Sequence, residues 1–255
     1  MMAGKLAVKT AIVTGGGSGV GAEIARNLAT LGVTVFIAGR RLGPLEDVAK
    51  GNSNIIPLAA DVSDQASVEK LVQDVVAKAG APDLIIANAG MAESASFIRA
   101  TLDSWQKNID VNLTGTFHTF QQALRVMDLA KPARLIAIAS TAGLKGYGYV
   151  APYCAAKHGV VGLVRALAAE LATSAITVNA ICPGFTDTPM LDQSIANIAQ
   201  TTGMSEDAAR ASLAKINPQN RFITPQEIAE TVLWLCSEHA GSMTGQAISV
   251  SGGEI

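Results

Sequence analysis

Charge and aromatic side chains are both scarce in this chain. Of 255 residues, 16% are Asp, Glu, Lys or Arg and 4% are Phe, Trp or Tyr, and the formal net charge is −2. No run of Lys or Arg breaks that balance, so no electrostatic footprint for RNA or DNA is present and no nucleic-acid partner is expected. Cysteine is sparse as well: Cys154, Cys182 and Cys236 are odd in number and widely spaced, which argues against a disulfide framework. His118, His158 and His239 stand at no metal-ligand spacing from the cysteines or from one another. Buried thiols, surface imidazoles and no metal site are the expectation. Uninterrupted apolar runs stay below the ~18 residues a spanning helix needs. The N-terminal MMAGKLAVKTAIVTGGG lacks the apolar core and cleavage site of a secretory signal. These absences predict a soluble, cytoplasmic protein with no membrane partner.

Apolar material, by contrast, is ample, at 49% of residues. It alternates between short β-rich runs and longer helical ones. Seven strands are read at LAVKTAIVT, VTVFIAG, NIIPLAA, DLIIANAG, ARLIAIAS, AITVNAI and QAISVSG. Helical patterns separate them, including SDQASVEKLVQDVVAKAG with Ser63 as its cap and a long stretch from about Asp103 to Leu129. A helix opening near Pro152 runs to about Ala172, and PQEIAETVLWLCSEH precedes the last strand. Strand–helix alternation of this kind predicts an α/β fold, a Rossmann-type doubly wound parallel sheet with helices on both faces. No linker, charge block or repeat divides the chain, so residues 1–255 are read as one domain. Residues 185–224 interrupt the alternation and are read as a substrate lid inserted after a strand's C-terminal end.

TGGGSGVG, Thr14 to Gly21, lies between the first strand and the first helix. Glycines there allow a tight turn and a close backbone approach to a pyrophosphate, whose charge meets the positive end of the helix. Gly15, Gly17, Ser18, Gly19, Val20 and Gly21 are the candidate cofactor contacts; a plain tight connection is the alternative. At the end of the second strand, where an Asp or Glu commonly meets a free ribose 2′-hydroxyl, stands AGRR. Arg40 and Arg41 suit a 2′-phosphate by charge and by their planar forks of donors. NADP is therefore favoured over NAD, unless both arginines are merely solvated.

All three tyrosines fall in YGYVAPYCAAKHG. Only Tyr153 has a cation four residues on, Lys157, on the same helix face. Pro152 suits a first helical turn, which puts Tyr153 near the positive end of the dipole. A free tyrosine titrates near pH ~10. A charge about 4 Å away at an effective dielectric of ~20 is worth roughly 4 kcal/mol, approaching three pKa units before desolvation opposes it. Tyr153 is accordingly expected to be drawn toward neutral pH and to serve as a general acid/base. Ser140, ending AIAS, would lie at the C-terminal sheet edge and hold a substrate oxygen. Asn112, an interior Asn in a helical pattern, either holds a water against Lys157 or makes a plain buried hydrogen bond.

In order along the chain, TGGGSGVG, Asp61-Val62, NAG at Asn88, Ala89 and Gly90, VNL around Asn112, Ser140, YCAAK and NAICPGFTDT form a set. On that set the whole chain resembles the short-chain dehydrogenase/reductase family. The resemblance implies hydride transfer between a nicotinamide and a carbonyl or alcohol carbon. It implies that Tyr153 moves the hydroxyl proton, that Lys157 lowers its pKa and bonds the nicotinamide ribose, that Ser140 orients the substrate oxygen, and that Asn112 supports a proton relay. By the same resemblance Asp61 and Val62 meet the adenine, and Asn88, Ala89 and Gly90 line the cofactor groove. Pro183, Gly184, Thr186 and Thr188 meet the nicotinamide carboxamide.

The departures from the family's pattern are three. Ser18 stands where many NADP-using members carry a basic residue, which keeps NAD use open. NNAG reads ANAG, and a VDGG-like final turn reads VSGG, losing a carboxylate. Tyr147, Tyr149 and other small or apolar residues after the strands suit the walls of a pocket for a hydrophobic ketone or alcohol. The tail NPQNRFITPQEIAETVLWLCSEHAGSMTGQAISVSGG, residues 217–253, looks similar to that of members acting on 3-oxoacyl thioesters and of many other reductases, and the resemblance also implies a homotetramer. Two other readings are a non-catalytic NADP-binding regulator, which has no need of the four polar residues, and a sugar-nucleotide epimerase, whose further domain is missing here.

Overall fold

A computed structural model describes residues 6–255; the part of the leader and domain readings that falls on residues 1–5 lies outside the described residues. Seven strands form one sheet: β1 (Thr10–Thr14), β2 (Thr34–Gly39), β3 (Ile55–Ala59), β4 (Leu84–Ala87), β5 (Ala133–Ile138), β6 (Ile176–Pro183) and β7 (Ala247–Val250). Every pairing is parallel and the order is β3-β2-β1-β4-β5-β6-β7. The chain winds outward from β1 to β3, then crosses back to place β4 on the other side of β1. The gap beyond the C-terminal ends of β1 and β4 is thus the topological switch point, where ligands of open α/β sheets bind.

Strand periodicity explains why both faces are covered. Ala11 and Val13 of β1, Val35 and Ile37 of β2, and Leu84 and Ile86 of β4 enter one core, shared with helices α1 (Gly19–Thr30), α2 (Leu42–Ala49) and α9 (Pro225–Leu235). Their neighbours Ile12, Phe36, Ala38, Ile85 and Ala87 enter a second core on the opposite face. Helices α3 (Gln65–Ala79), α5 (Gly115–Leu124) and α6 (Ala151–Glu170) close that face. Alternate residues point to opposite faces of a strand, so apolar residues at every position demand helices on both. Burying each such aliphatic side chain contributes roughly 1.5–3 kcal/mol.

Several boundaries differ from those expected. Asp64, not Ser63, caps α3: its carboxylate accepts from the Ala66 N–H at 3.1 Å, while the Ser63 hydroxyl donates to Asp61 at 2.7 Å. Two carboxylates compete for that loop, and Asp61 takes the serine. The stretch from Asp103 to Leu129 is not one helix. Helix α4 (Leu102–Ile109) passes through a single π turn, Asp110–Thr114, into α5, which stops at Leu124. His118 is buried rather than at the surface, with Nδ1 3.0 Å from the Val62 carbonyl. The three cysteines are free and buried.

Residues 185–224 carry α7 (Pro189–Thr202) and α8 (Glu206–Ala214). The two ends of this excursion are joined, with Ile223 donating to the Phe185 carbonyl and Asp187 to the Ile223 carbonyl, both at 2.9 Å. Leu191, Ile195 and Ala209 give it a small core of its own. Among the described residues no helix is long and apolar enough to cross a membrane.

Candidate active site

The glycine turn is held from below by a residue that sequence reasoning passed over. Thr14, the last residue of β1, is buried, and its hydroxyl accepts the backbone N–H of Asn88 at 3.0 Å and of Ala89 at 3.1 Å. The Asn88 side chain returns the contact, donating to the carbonyls of Thr14 at 2.9 Å and Gly15 at 3.2 Å. The ends of β1 and β4 are thereby stitched together across the switch point. A polar residue closing the apolar run Ala11–Val13 was the only signal for Thr14. Asn88, expected to line the groove, spends its amide on shaping it.

Within the turn Gly15, Gly16 and Gly21 leave no room for a side chain; on Gly16 a Cβ would lie 2.6 Å from the Ile37 Cβ. A Cβ on Gly21 would lie 2.5 Å from both the Asn88 amide nitrogen and the Gly15 carbonyl oxygen. Gly15 has φ +66°, and a Cβ there would stand 2.8 Å from the Ala89 Cα. Gly17 packs toward Pro44 and Leu45 of α2, and Val20 lies against the α1 core. At the N-terminus of α1 the Ser18 side chain makes no cap hydrogen bond, and no acidic residue occupies the first turn. Backbone donors and an unopposed dipole are therefore available to an anion. A dinucleotide pyrophosphate fits this cradle: the turn presents backbone where side chains would collide.

At the ends of β2 and β3, Arg40 and Arg41 are exposed, and neither is ion-paired among the described residues. Asp61 sits across from Arg40. Burial opposes its ionisation, but hydrogen bonds from Ser63 and the Arg40 charge leave its pKa below the usual value. Val62 is buried against Gly115, where a Cβ would come within 2.7 Å of it.

Register carries Ser140 and the end of β6 to the same edge, since Ile138 pairs with Ile181. Ser140 opens a short 3-10 turn, Thr141–Gly143, and its hydroxyl accepts the Ala142 N–H at 3.0 Å. Helix α6 begins at Ala151 with Pro152 in its first turn. Tyr153 and Lys157 share one face of it, with the ammonium 5.7 Å from the centre of the Tyr153 ring. Lys157 is 4% exposed, and its Nζ donates to the Ile138 carbonyl at 2.8 Å, two residues before Ser140. Gly143 permits this packing; a Cβ there would meet the Lys157 carbonyl at 2.7 Å.

Burial opposes the expected acidification of Tyr153. Burial pushes its pKa up to about 12, against a hydrogen bond from Ser140 that lowers it. The same burial lowers Lys157 to about 8. Desolvation outweighs the Ser140 hydrogen bond at Tyr153 and is the leading cause at Lys157 as well. Burial likewise raises Cys182, beside Lys157, to about 11.

Asn112 occupies the π turn and is wholly buried. Its amide donates to the carbonyls of Met91 and Asn108, both at 2.9 Å, and its Oδ1 accepts the Met91 N–H at 3.2 Å. The side chain thus clamps the segment after β4 to the α4–α5 junction. A Cβ on Gly90 would lie 2.9 Å from Asn112 Oδ1 and 3.8 Å from Lys157 Nζ, so the space left by that missing side chain separates the two polar groups. π turns of this kind are frequent at functional sites.

Thr186 donates to the Gly184 carbonyl at 2.9 Å, and Thr188 to the Thr186 carbonyl at 3.2 Å. The Thr188 methyl stands 3.2 Å from where a Gly19 Cβ would be, so the turn after Pro183 abuts the glycine loop. Tyr149 is 72% exposed, with φ +67°. Tyr147 is turned inward and meets Phe185 edge to face, with ring centres 6.1 Å apart. His158 is exposed on another face of α6 and bonds the Cys154 carbonyl within its own helix.

A sheet-edge dinucleotide cradle beside a Ser–Tyr–Lys cluster defines an oxidoreductase of a known class, and the family model described as short chain dehydrogenase matches residues 9–199. The chain belongs to that family. It is 34% identical to the 3-oxoacyl-acyl-carrier-protein reductase of Aquifex aeolicus, over 98% of both chains. It is 33% identical to the D-beta-hydroxybutyrate dehydrogenase of Rhizobium meliloti, over 96% of this chain and 98% of that one. The solved structure of an actinorhodin polyketide ketoreductase variant with NADPH superposes with a TM-score of 0.93 at 35% identity, covering 97% of each chain.

Proposed function

We propose that the protein reduces a hydrophobic ketone, a 3-oxoacyl thioester or a related compound, to the secondary alcohol with NADPH. The observation that carries this reading is the convergence of Ser140, Tyr153 and Lys157 beside the glycine cradle. NADPH supplies the hydride. Ser140 holds the substrate oxygen against the Tyr153 phenol, which gives that oxygen its proton. A phenol held up at about 12 is fully protonated at neutral pH, the state that reduction requires. Lys157, at about 8, still carries its proton at pH 7 and is the nearest cation to restore the phenol through the groups around it. Asn112 fixes the segment across which a water joins this relay, in the space beside Gly90.

Arg40 and Arg41 recognise the 2′-phosphate, and the lack of an ion-pair partner for either among the described residues supports NADP over NAD. Glycines 15, 17, 19 and 21, Ser18 and Val20 hold the pyrophosphate, while Asp61 and Val62 border the adenine. Asn88, Ala89 and Gly90 form the groove floor, and Pro183, Gly184, Thr186 and Thr188 border the nicotinamide. Residues 185–224 act as the lid over the substrate; their joined ends and separate core suit movement as one piece. The protein works in the cytoplasm and as a homotetramer; its self-association is supported by large apolar side chains left exposed on α4, α5 and α9, namely Trp105, Phe117 and Trp234.

The test is NADPH oxidation against a panel of ketones and 3-oxoacyl thioesters, repeated with NADH and with Tyr153→Phe. Turnover with NADPH, lowered at least ~10²-fold in the variant with unchanged NADPH binding, is expected. Near-normal turnover by Tyr153→Phe refutes the assignment. Tight NADPH binding without turnover of any ketone would instead favour the regulator reading.

A further inference from the structure

The family-like turn that lost its carboxylate at Ser251 is followed by one that returns to the site. After β7 the chain reverses through Gly252 (φ +65°) and Gly253 (φ +90°). A Cβ on Gly252 would fall 2.1 Å from Asn217 Oδ1, so only glycine passes beneath that side chain. The reversal delivers Glu254 inward, where its side chain is 2% exposed. Gly184, after β6, leaves room for it: a Cβ there would stand 3.1 Å from Glu254 Oε2.

Two groups from the β5–α6 loop, Tyr147 and Lys145, converge on the Glu254 carboxylate, and a third, Thr141, joins through Tyr147. The Tyr147 phenol donates to Oε1, and the Lys145 ammonium lies 3.0 Å from the same oxygen and 5.0 Å above the Tyr147 ring. Tyr147 also hydrogen-bonds the Thr141 hydroxyl at 2.7 Å. A carboxylate only accepts, so the phenol's one proton goes to Glu254 and the Thr141 hydroxyl donates to the phenol oxygen. Thr141 is buried and immediately follows Ser140. Glu254, Tyr147 and Thr141 thus form a directed chain ending next to the residue that orients the substrate oxygen. On its other side Tyr147 packs on Phe185, the first residue of the excursion that carries α7 and α8.

Glu254 Oε2 is buried without a hydrogen-bond partner among the described residues. A carboxylate left half-satisfied in the interior is a poor stabilising element compared with an apolar side chain of similar size. Its geometric effect is clear, because it fixes the direction of a ring that would otherwise turn about its Cα–Cβ bond.

We propose that Glu254 is a positioning residue for the substrate pocket: its carboxylate holds Tyr147 between Thr141 and Phe185, so that the C-terminal tail sets the pocket wall beside Ser140. This rests on the ketone-reductase reading of the site. Tyr147 is then a specificity element held by a residue 107 positions further along the same chain, and the tail contributes to substrate fit without touching the hydride or the proton.

Glu254→Gln and Tyr147→Phe are to be compared, singly and combined, by steady-state kinetics on the best ketone and by phenol titration of the ligand-free proteins. Glu254→Gln is expected to raise KM for the ketone on the order of tenfold, with kcat and NADPH affinity changed less than about twofold. Tyr147→Phe should match it, and the double variant should be no worse than either single one. In the titration, Glu254→Gln should move one high-pH tyrosine transition downward, and Tyr147→Phe should remove that transition. Unchanged KM in Glu254→Gln, independent multiplication of the two effects, or an unmoved transition overturns the proposal. So does a Glu254→Gln protein that fails to fold, since the carboxylate would then serve the fold. A wild-type protein inactive on every ketone, with the titration shift intact, would count against the reductase reading alone.

Discussion

Lys157 offers the most direct physical check on the site, because its burial should be measurable as a pH-dependent stability. The side chain is 4% exposed and has no carboxylate partner among the described residues; its ammonium donates to the Ile138 carbonyl and lies over the face of Tyr153. Burial lowers its pKa to about 8, against roughly 10.4 in an unfolded chain. At ~1.36 kcal/mol per unit, that gap means the charged form costs the folded state on the order of 3 kcal/mol relative to the neutral form. The sign follows from proton counts. Below pH 8 both states hold the proton and stability does not change with pH on this account. Between about 8 and 10.4 the unfolded chain holds a proton that the folded one has released, so stability rises with pH.

Replacing Lys157 with Met removes this titration while keeping a flexible side chain of similar length. The measurement is urea unfolding of both proteins at pH 7.0 and about 9.5, at one protein concentration because subunit association would shift the midpoint. Titrating groups remote from Lys157, such as Tyr147 and Cys236, are common to both proteins and cancel in the difference; Cys182, which the Lys157 charge reaches, is replaced by Ala in both. The protein that keeps Lys157 should gain about 2 kcal/mol on Lys157→Met across that interval, which at an m-value of ~2 kcal/mol/M is a relative midpoint shift of roughly 1 M urea. A difference independent of pH would refute the burial account of Lys157, and with it the claim that this lysine readily exchanges its proton near pH 8.

Two further outcomes follow from the cofactor cradle. Arg40→Asp should weaken NADPH binding at least ~10-fold while leaving NADH within about twofold, since a carboxylate repels a 2′-phosphate and not a 2′-hydroxyl; equal effects, measured by fluorescence titration, would remove Arg40 from phosphate recognition. Gly21→Ala places a methyl 2.5 Å from two groups that bind the β1 and β4 ends together, so dinucleotide affinity should fall by at least ~10-fold and thermal stability by roughly 1–3 kcal/mol. Retained affinity in Gly21→Ala would show that the turn tolerates displacement of Asn88.

Most of the architecture was legible because it is local. Seven apolar runs with flanking turns became seven strands, and residues four apart became neighbours on α6. The errors arose where a choice depended on competition or on surroundings. Ser63 lost the α3 cap to Asp64 because Asp61, in the adjacent loop, offered its hydroxyl a charged acceptor. Asn112 was noticed as a misfit in a helix, but its clamp on Met91 needs the chain before α4 to fold back, which no spacing encodes. Thr14 and Glu254 act on residues more than 70 positions away. Tyr153 shows the limit most sharply. Its four-residue spacing from Lys157 correctly placed a cation close to the ring, and Coulomb attraction alone predicted a lowered pKa. The sign was decided by the dielectric instead, and burial raised the phenol and lowered the ammonium together. Periodicity determines which side chains share a face. Whether a shared face is wet or dry depends on every element packed above it, and at Tyr153 that property decides which partner keeps its proton more tightly.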